Sequence, residues 1–153
     1  MKHLYATSGL VILLDQLTKL WVTAKIPLYG GVEVISGFFN LVHVRNTGGA
    51  FSILAGTPSV WRQLFFAVVT LGVVFLLLMV YRKVAARDYW SKTAYALIIG
   101  GALGNLMDRI RLGAVVDFLD VHWKGYHWPA FNVADAAITT GAVMLIIALL
   151  RGK

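Results

Sequence analysis

The chain has no cysteine. Disulfides, a thiolate nucleophile and cysteine-ligated zinc are therefore excluded. Charge is also scarce: 14% of the 153 residues are Asp, Glu, Lys or Arg, against 59% hydrophobic. A water-soluble domain of this length carries far more charge on its surface. Acids are the scarcer sign, seven against fourteen Lys and Arg, which leaves a formal net charge of +7. There is no low-complexity tract, internal repeat or linker, so residues 1–153 read as a single domain. No Gly-x-Ser-x-Gly or His-Glu-x-x-His pattern occurs, which removes the serine-hydrolase elbow and the zincin helix. His43, His122 and His127 lack ligand spacing and read as interfacial or hydrogen-bonded side chains. The expectation is no metal and no cofactor.

What the chain does have is length of apolar sequence. Mean hydropathy is +0.75. Four apolar runs cover about residues 4–23, 64–81, 89–107 and 133–150. Each is long enough, or nearly so, to cross about 30 Å of hydrocarbon at about 1.5 Å per residue. Inside lipid the backbone must satisfy its own hydrogen bonds, so the runs read as helices. The first run holds Asp15 and Lys19 and is followed by no Ala-x-Ala-like site, so it reads as a retained span rather than a cleaved leader.

Lys2, Arg82, Lys83, Arg87, Lys92, Arg151 and Lys153 fall on one side of these spans. Lys25, Arg45, Arg62, Arg109, Arg111 and Lys124 fall on the other. The short 82–92 loop is the densest in cations and marks the cytoplasmic side, with both termini inside. The basic balance then means loops held at membrane lipid, and the lack of a basic stripe argues against nucleic acid.

Between the first two runs, Val32, Val34, Phe38, Leu41, Val42 and Val44 alternate in part and are broken by Gly30, Gly31 and Gly37. That pattern reads as short strands lying at the membrane surface. Pro58 with Trp61 marks re-entry into the bilayer. Residues 115–121 are also strand-like and lead into an aromatic loop around Trp123, Tyr126, His127 and Trp128. The expected fold class is thus an all-α membrane protein, with four transmembrane helices and a small extracytoplasmic β-sheet.

The informative residues are those that cost energy where they sit. An ionised side chain at mid-bilayer costs about 2.5–3.5 kcal/mol on insertion scales. Asp15, Lys19, Asn105, Asp108, Arg109, Asn132 and Asp135 lie within or at the ends of spans, and Asn46 and Asp117 lie in the outer loops. In the assigned orientation they gather at one depth, near the outer leaflet. Asp15 and Lys19 are four apart on one helix and read as a mutually neutralising structural pair. Asn132 and Asp135 have the spacing of a helix cap with a reciprocating acid, so Asp135 reads equally as cap or catalyst. Asp108 and Arg109 read as a pair that is structural or substrate-orienting. Gly100, Gly101 and Gly104 read as close helix packing. Two carboxylates meeting at a poorly solvated edge share a proton, and such a pair can activate water against a peptide carbonyl. Local physics alone does not choose the pair.

A resemblance does. Residues 15–19 (Asp-Gln-Leu-Thr-Lys), 45–52 (Arg-Asn-Thr-Gly-Gly-Ala-Phe-Ser) and 100–109 (Gly-Gly-Ala-Leu-Gly-Asn-Leu-Met-Asp-Arg) resemble three boxes of the lipoprotein signal peptidases. Residues 115–118 (Val-Val-Asp-Phe) and 131–135 (Phe-Asn-Val-Ala-Asp) resemble two more, in family order. Gly49 stands where the family more often has alanine. The resemblance implies a bacterial inner-membrane aspartic endopeptidase. Such an enzyme cuts the signal peptide from a lipid-modified prolipoprotein just before its diacylglyceryl-cysteine. It implies Asp117 and Asp135 as the catalytic dyad. Asn46, Asn105, Asp108, Arg109 and Asn132 would form the substrate-binding polar shell, and Asp15 and Lys19 would be structural. It further implies inhibition by globomycin-type cyclic peptides.

Two other classes fit intramembrane acids. A small proton-coupled transporter predicts acids spread through the bilayer depth and an inverted repeat, and neither is present. In a non-catalytic membrane chaperone or subunit, the polar residues would only bind helices together. Oligomeric state is not legible in the sequence.

Overall fold

The computed structural model describes residues 1–48, 56 and 59–151. Pro58 and the Gly49-Ala50-Phe51-Ser52 stretch of the second box lie outside the described residues. The order is α1 (Lys2–Lys25), β1 (Gly31–Ile35), β2 (Phe39–Asn46), α2 (Val60–Lys83), α3 (Tyr89–Leu112), β3 (Val115–Trp123), β4 (Tyr126–His127) and α4 (Val133–Leu150). Three of the four helices run 24 residues, longer at their ends than the apolar runs alone indicate. Charged and aromatic residues at the ends of those runs continue the helices. Trp61 sits in the first turn of α2.

α1 shows how this protein divides inside from outside. Its buried stripe is Leu4, Ser8, Val11, Asp15, Lys19 and Val22. Its exposed face carries Leu10, Leu13, Leu14, Leu17, Leu20 and Trp21. The only charges in the middle of the helix point inward and the leucines point out, the reverse of a helix on a water-soluble protein. α2 buries only Val74 and Tyr81. α2 and α4 are long and apolar enough to cross a membrane by length and composition.

α3 is the central helix, packed on α1, α2 and α4. Its glycines make that possible. A Cβ on Gly100 would sit 2.9 Å from the Ser8 backbone, and one on Gly104 2.8 Å from the Asp15 carboxylate. A Cβ on Gly101 would collide with the Ala134 carbonyl of α4. The packing role read from their spacing is therefore what the structure shows. Asp88 starts α3 by accepting the Ser91 N–H (3.0 Å), and Gly113, with φ +69°, ends it.

The strands form one antiparallel sheet in the order β1-β2-β3-β4. The two strand-like regions of the sequence, more than 60 residues apart in the chain, pair directly: Val44 lies opposite Asp117 and Asn46 opposite Val115. Val22, Ile26 and Phe118 pack together and fix the sheet on the end of α1. The fold is thus a helical bundle with a four-stranded sheet at one end, rather than all-α in the strict sense.

Candidate active site

The sheet end of the bundle is where the polar residues converge. Asp117 lies on β3, buried, with its two oxygens held by different asparagines. Asn132 Nδ2 donates to Oδ1 at 2.7 Å and Asn46 Nδ2 to Oδ2 at 3.3 Å. Asp135 lies in the first turn of α4. Asn105 Nδ2 donates to its Oδ1 at 2.8 Å, and the Asn132 backbone N–H donates to its Oδ2 at 3.2 Å. Asn132 completes a capping box by accepting the Asp135 N–H at 2.9 Å. One residue, Asn132, therefore holds both acids, Asp117 through its side chain and Asp135 through its backbone.

Burial drives the Asp117 pKa up from its ordinary 3.8 to about 7. The nearby Asp135 carboxylate adds to this; the asparagine hydrogen bonds and the Lys19 charge oppose it without cancelling it. Asp117 thus loses its proton near neutrality.

Both acids line a cavity of about 660 Å³. Asn46, Asn105 and Arg109 line it too, with Phe66, Val69 and Val73 of α2 and Thr139 and Thr140 of α4. Apolar walls with a few convergent polar groups are the usual make-up of a ligand site. Arg109 Nη2 donates to the Gly48 carbonyl at 3.0 Å, and its guanidinium lies 4.8 Å from the Phe66 ring centre. Its buried Nε has no partner among the described residues.

Behind this wall lies a second, fully buried set. Lys19 Nζ pairs with Asp15 and with Asp108, each at 2.8 Å, and donates to Asn105 Oδ1 at 3.0 Å. Asp15 Oδ1 accepts the Ala134 N–H of α4, and Asp108 Oδ2 accepts the Val116 N–H of β3. Four elements, α1, α3, α4 and β3, are thus tied together around one ammonium.

The sequence profile described as Signal peptidase (SPase) II matches residues 7–151. The chain belongs to the signal peptidase II family. It is 48% identical over 145 residues to the lipoprotein signal peptidase of Syntrophus aciditrophicus (95% of this chain, 90% of the relative). It is 52% identical over 139 residues to that of Aeromonas hydrophila (90% and 82%). A solved bacterial membrane enzyme superposes with a TM-score of 0.88 at 34% identity, covering 99% of this chain and 89% of that one. Membership in signal peptidase II makes the chain a peptidase, a hydrolase, and sets aside the transporter and chaperone readings.

Within this signal peptidase II chain, the residues named from sequence fall into two groups. Asp117, Asp135, Asn46, Asn105 and Arg109 line the cavity. Asn132 and Asp108 do not: Asn132 is fully buried between the two acids, and Asp108 faces Lys19. The expected Asp108–Arg109 pair gives way to an Asp108–Lys19 pair. Adjacent residues on a helix project about 100° apart, so Asp108 turns to α1 while Arg109 turns to the cavity. Asp15 and Lys19 form the anticipated i,i+4 pair.

Sequence reasoning missed Gln16. Its Nε2 donates to Asp15 (3.1 Å) and Asp108 (3.0 Å), and its Oε1 accepts from Arg111. The signal was an uncharged polar residue beside Asp15 in an apolar run. The histidines hold structure: His43 Nδ1 meets the Ile26 carbonyl, and His127 bonds Asp120 while stacking on His122. Among the described residues no group of three or more His, Cys, Asp or Glu is placed to hold a metal.

Proposed function

We propose that this chain is an intramembrane aspartic endopeptidase, in which Asp117 and Asp135 share a proton and activate the attacking water. The observation that carries this reading is two buried carboxylates on one cavity, bridged by Asn132, one with its pKa pushed to about 7. At neutral pH such a pair holds one proton between two oxygens-rich sites, because ionising both would put like charges together in a poorly solvated space. The ionised member takes a proton from water as it attacks the scissile carbonyl; the protonated member donates to the departing nitrogen. No metal or covalent intermediate is required.

The substrate is a prolipoprotein, whose signal peptide the enzyme removes. The finer reading is that cleavage falls just before a diacylglyceryl-modified cysteine. The cavity supports this, since Phe66, Val69 and Val73 of α2 and Ile138 of α4 give it apolar surface beside the acids that suits a lipid-linked segment. Asn46, Asn105 and Arg109 meet the substrate backbone or the polar part of its lipid linkage. Asn132 and Asp108 act as positioning residues. Globomycin-type cyclic peptides block the enzyme by occupying the same cavity.

All four helices cross the bacterial inner membrane as one domain, with both termini cytoplasmic and the acids toward the outer leaflet. The inward charges and outward leucines of α1 support counting it as a span despite its four charged residues. The cation-rich 82–92 segment, which is the α2–α3 turn with the helix ends that flank it, lies at the opposite end of the bundle from the acids and supports the orientation.

The deciding experiment uses purified protein in detergent and a lipidated precursor. Wild type is expected to cleave, and Asp117→Asn and Asp135→Asn each to lose cleavage by at least a thousandfold. Cleavage retained by either variant removes that residue from the dyad.

A further inference from the structure

A second cavity lies at the other end of the bundle, where α2 turns into α3 beside the end of α4. Its volume is about 580 Å³. Tyr95, Leu145 and Leu149 contribute its apolar wall, and Arg87 stands at its rim with Asp88 and Ser91. None of these residues takes part in the site around Asp117 and Asp135.

The charge here is one-sided. Arg82, Lys83, Arg87, Lys92 and Arg151 cluster at this end, and Asp88 is the one acid among residues 78–95 and 140–153. Asp88 already caps α3. Two of the cations are held close to the protein: Lys92 Nζ donates to the Ala86 carbonyl at 3.2 Å, and the Arg151 guanidinium lies 5.7 Å from the Trp90 ring centre. Trp90 is itself pinned, donating Nε1–H to the Met144 carbonyl at 2.8 Å. Arg87 is exposed, and its guanidinium makes no hydrogen bond or ion pair among the described residues. The result is an apolar slot with an available guanidinium at its mouth and a surplus of positive charge around it.

We propose that this cavity binds one anionic phospholipid, its phosphate against Arg87 and part of an acyl chain along Tyr95, Leu145 and Leu149. A guanidinium pairs with phosphate oxygens in a fork geometry that a zwitterionic surface satisfies less well, because the choline brings a compensating cation. Basic pockets between helices at a membrane surface hold acidic lipid headgroups by the same physics. The apolar wall favours a lipid over a free anion, which would leave that wall unused. The ligand holds the α2–α3 turn against the end of α4, far from the reacting atoms.

The test is native mass spectrometry of the full chain released from detergent after incubation with phosphatidylglycerol or phosphatidylcholine. Wild type is expected to retain one phosphatidylglycerol and at least tenfold less phosphatidylcholine. Arg87→Gln is expected to lose most of that preference, Leu145→Trp to lose the bound lipid by filling the slot, and Lys124→Gln, in the distant β3–β4 turn, to behave as wild type. Cleavage of the lipidated precursor reports that each variant is folded; should Leu145→Trp fail there, Arg87→Gln decides alone. Equal retention of the two lipids, or retention unchanged in Arg87→Gln, overturns the proposal. Displacement of the lipid by millimolar inorganic phosphate alone overturns it as well, since that marks a free-anion site.

Discussion

Replacing Asp117 with asparagine should abolish cleavage and yet stabilise the protein, by an amount that depends on pH. A carboxyl whose pKa rises from 3.8 to about 7 on folding binds its proton more tightly in the folded chain. Between those two values the folded state holds more protons than the unfolded state, so stability falls as pH rises through this window and levels off above about 7. Each unit is worth about 1.4 kcal/mol, so a shift of roughly three units costs about 4 kcal/mol above the window. Asparagine has no such cost. It keeps one acceptor for Asn132 but meets the Asn46 amide with an amide of its own, which forfeits about 1 kcal/mol. The net gain is about 3 kcal/mol at pH 8 and turns into a loss of about 1 kcal/mol at pH 4, where only the amide mismatch remains. At about 2–4 °C per kcal/mol for a chain of this size, the unfolding midpoint should rise by roughly 6–12 °C at the higher pH. Thermal unfolding in detergent across pH 4–8 measures it. A difference between variant and wild type that is constant with pH, or a variant less stable at pH 8, would refute the idea that Asp117 is held protonated by burial and by its neighbour.

Three further outcomes follow from the same geometry. Cleavage should decline as pH rises through about 7, where the pair loses its shared proton; a pH–rate profile flat from 6 to 9 would contradict this. Lys19→Met strands two buried carboxylates and should cost about 3–5 kcal/mol, while the triple change Asp15→Asn, Lys19→Met, Asp108→Asn should recover most of it. Unfolding midpoints of the two variants compare them directly, and a triple variant as unstable as the single one would show that the charges are not what holds α1, α3, α4 and β3 together. Gly104→Ala should cost about 1–3 kcal/mol, because its methyl would press on the Asp15 carboxylate; an unchanged midpoint would mean that α1 and α3 can part without loss.

Much of this protein could be read in its sequence because lipid imposes simple demands. Long apolar runs become helices where no water can satisfy the backbone, so the four helices stand where the runs do. Polar residues inside such runs are costly, so Asp15, Lys19, Asn105, Asp108 and Asp135 announced themselves by their presence. Helix spacing was enough for the Asp15–Lys19 pair and for the Asn132–Asp135 cap, since both are local.

Tertiary structure decided what depends on residues distant in the chain. Only the pairing of β2 with β3 sets Asn46 on Asp117, and only the seating of α4 on α3 brings Asn105 to Asp135. Asp108 could not be assigned from its neighbour Arg109, because the direction of each side chain follows from which helix packs against α3. Lys19 drew two acids rather than one for the same reason. Local sequence specifies how a segment folds and what it costs to bury; which carboxylate meets which donor depends on how the folded segments lie against each other.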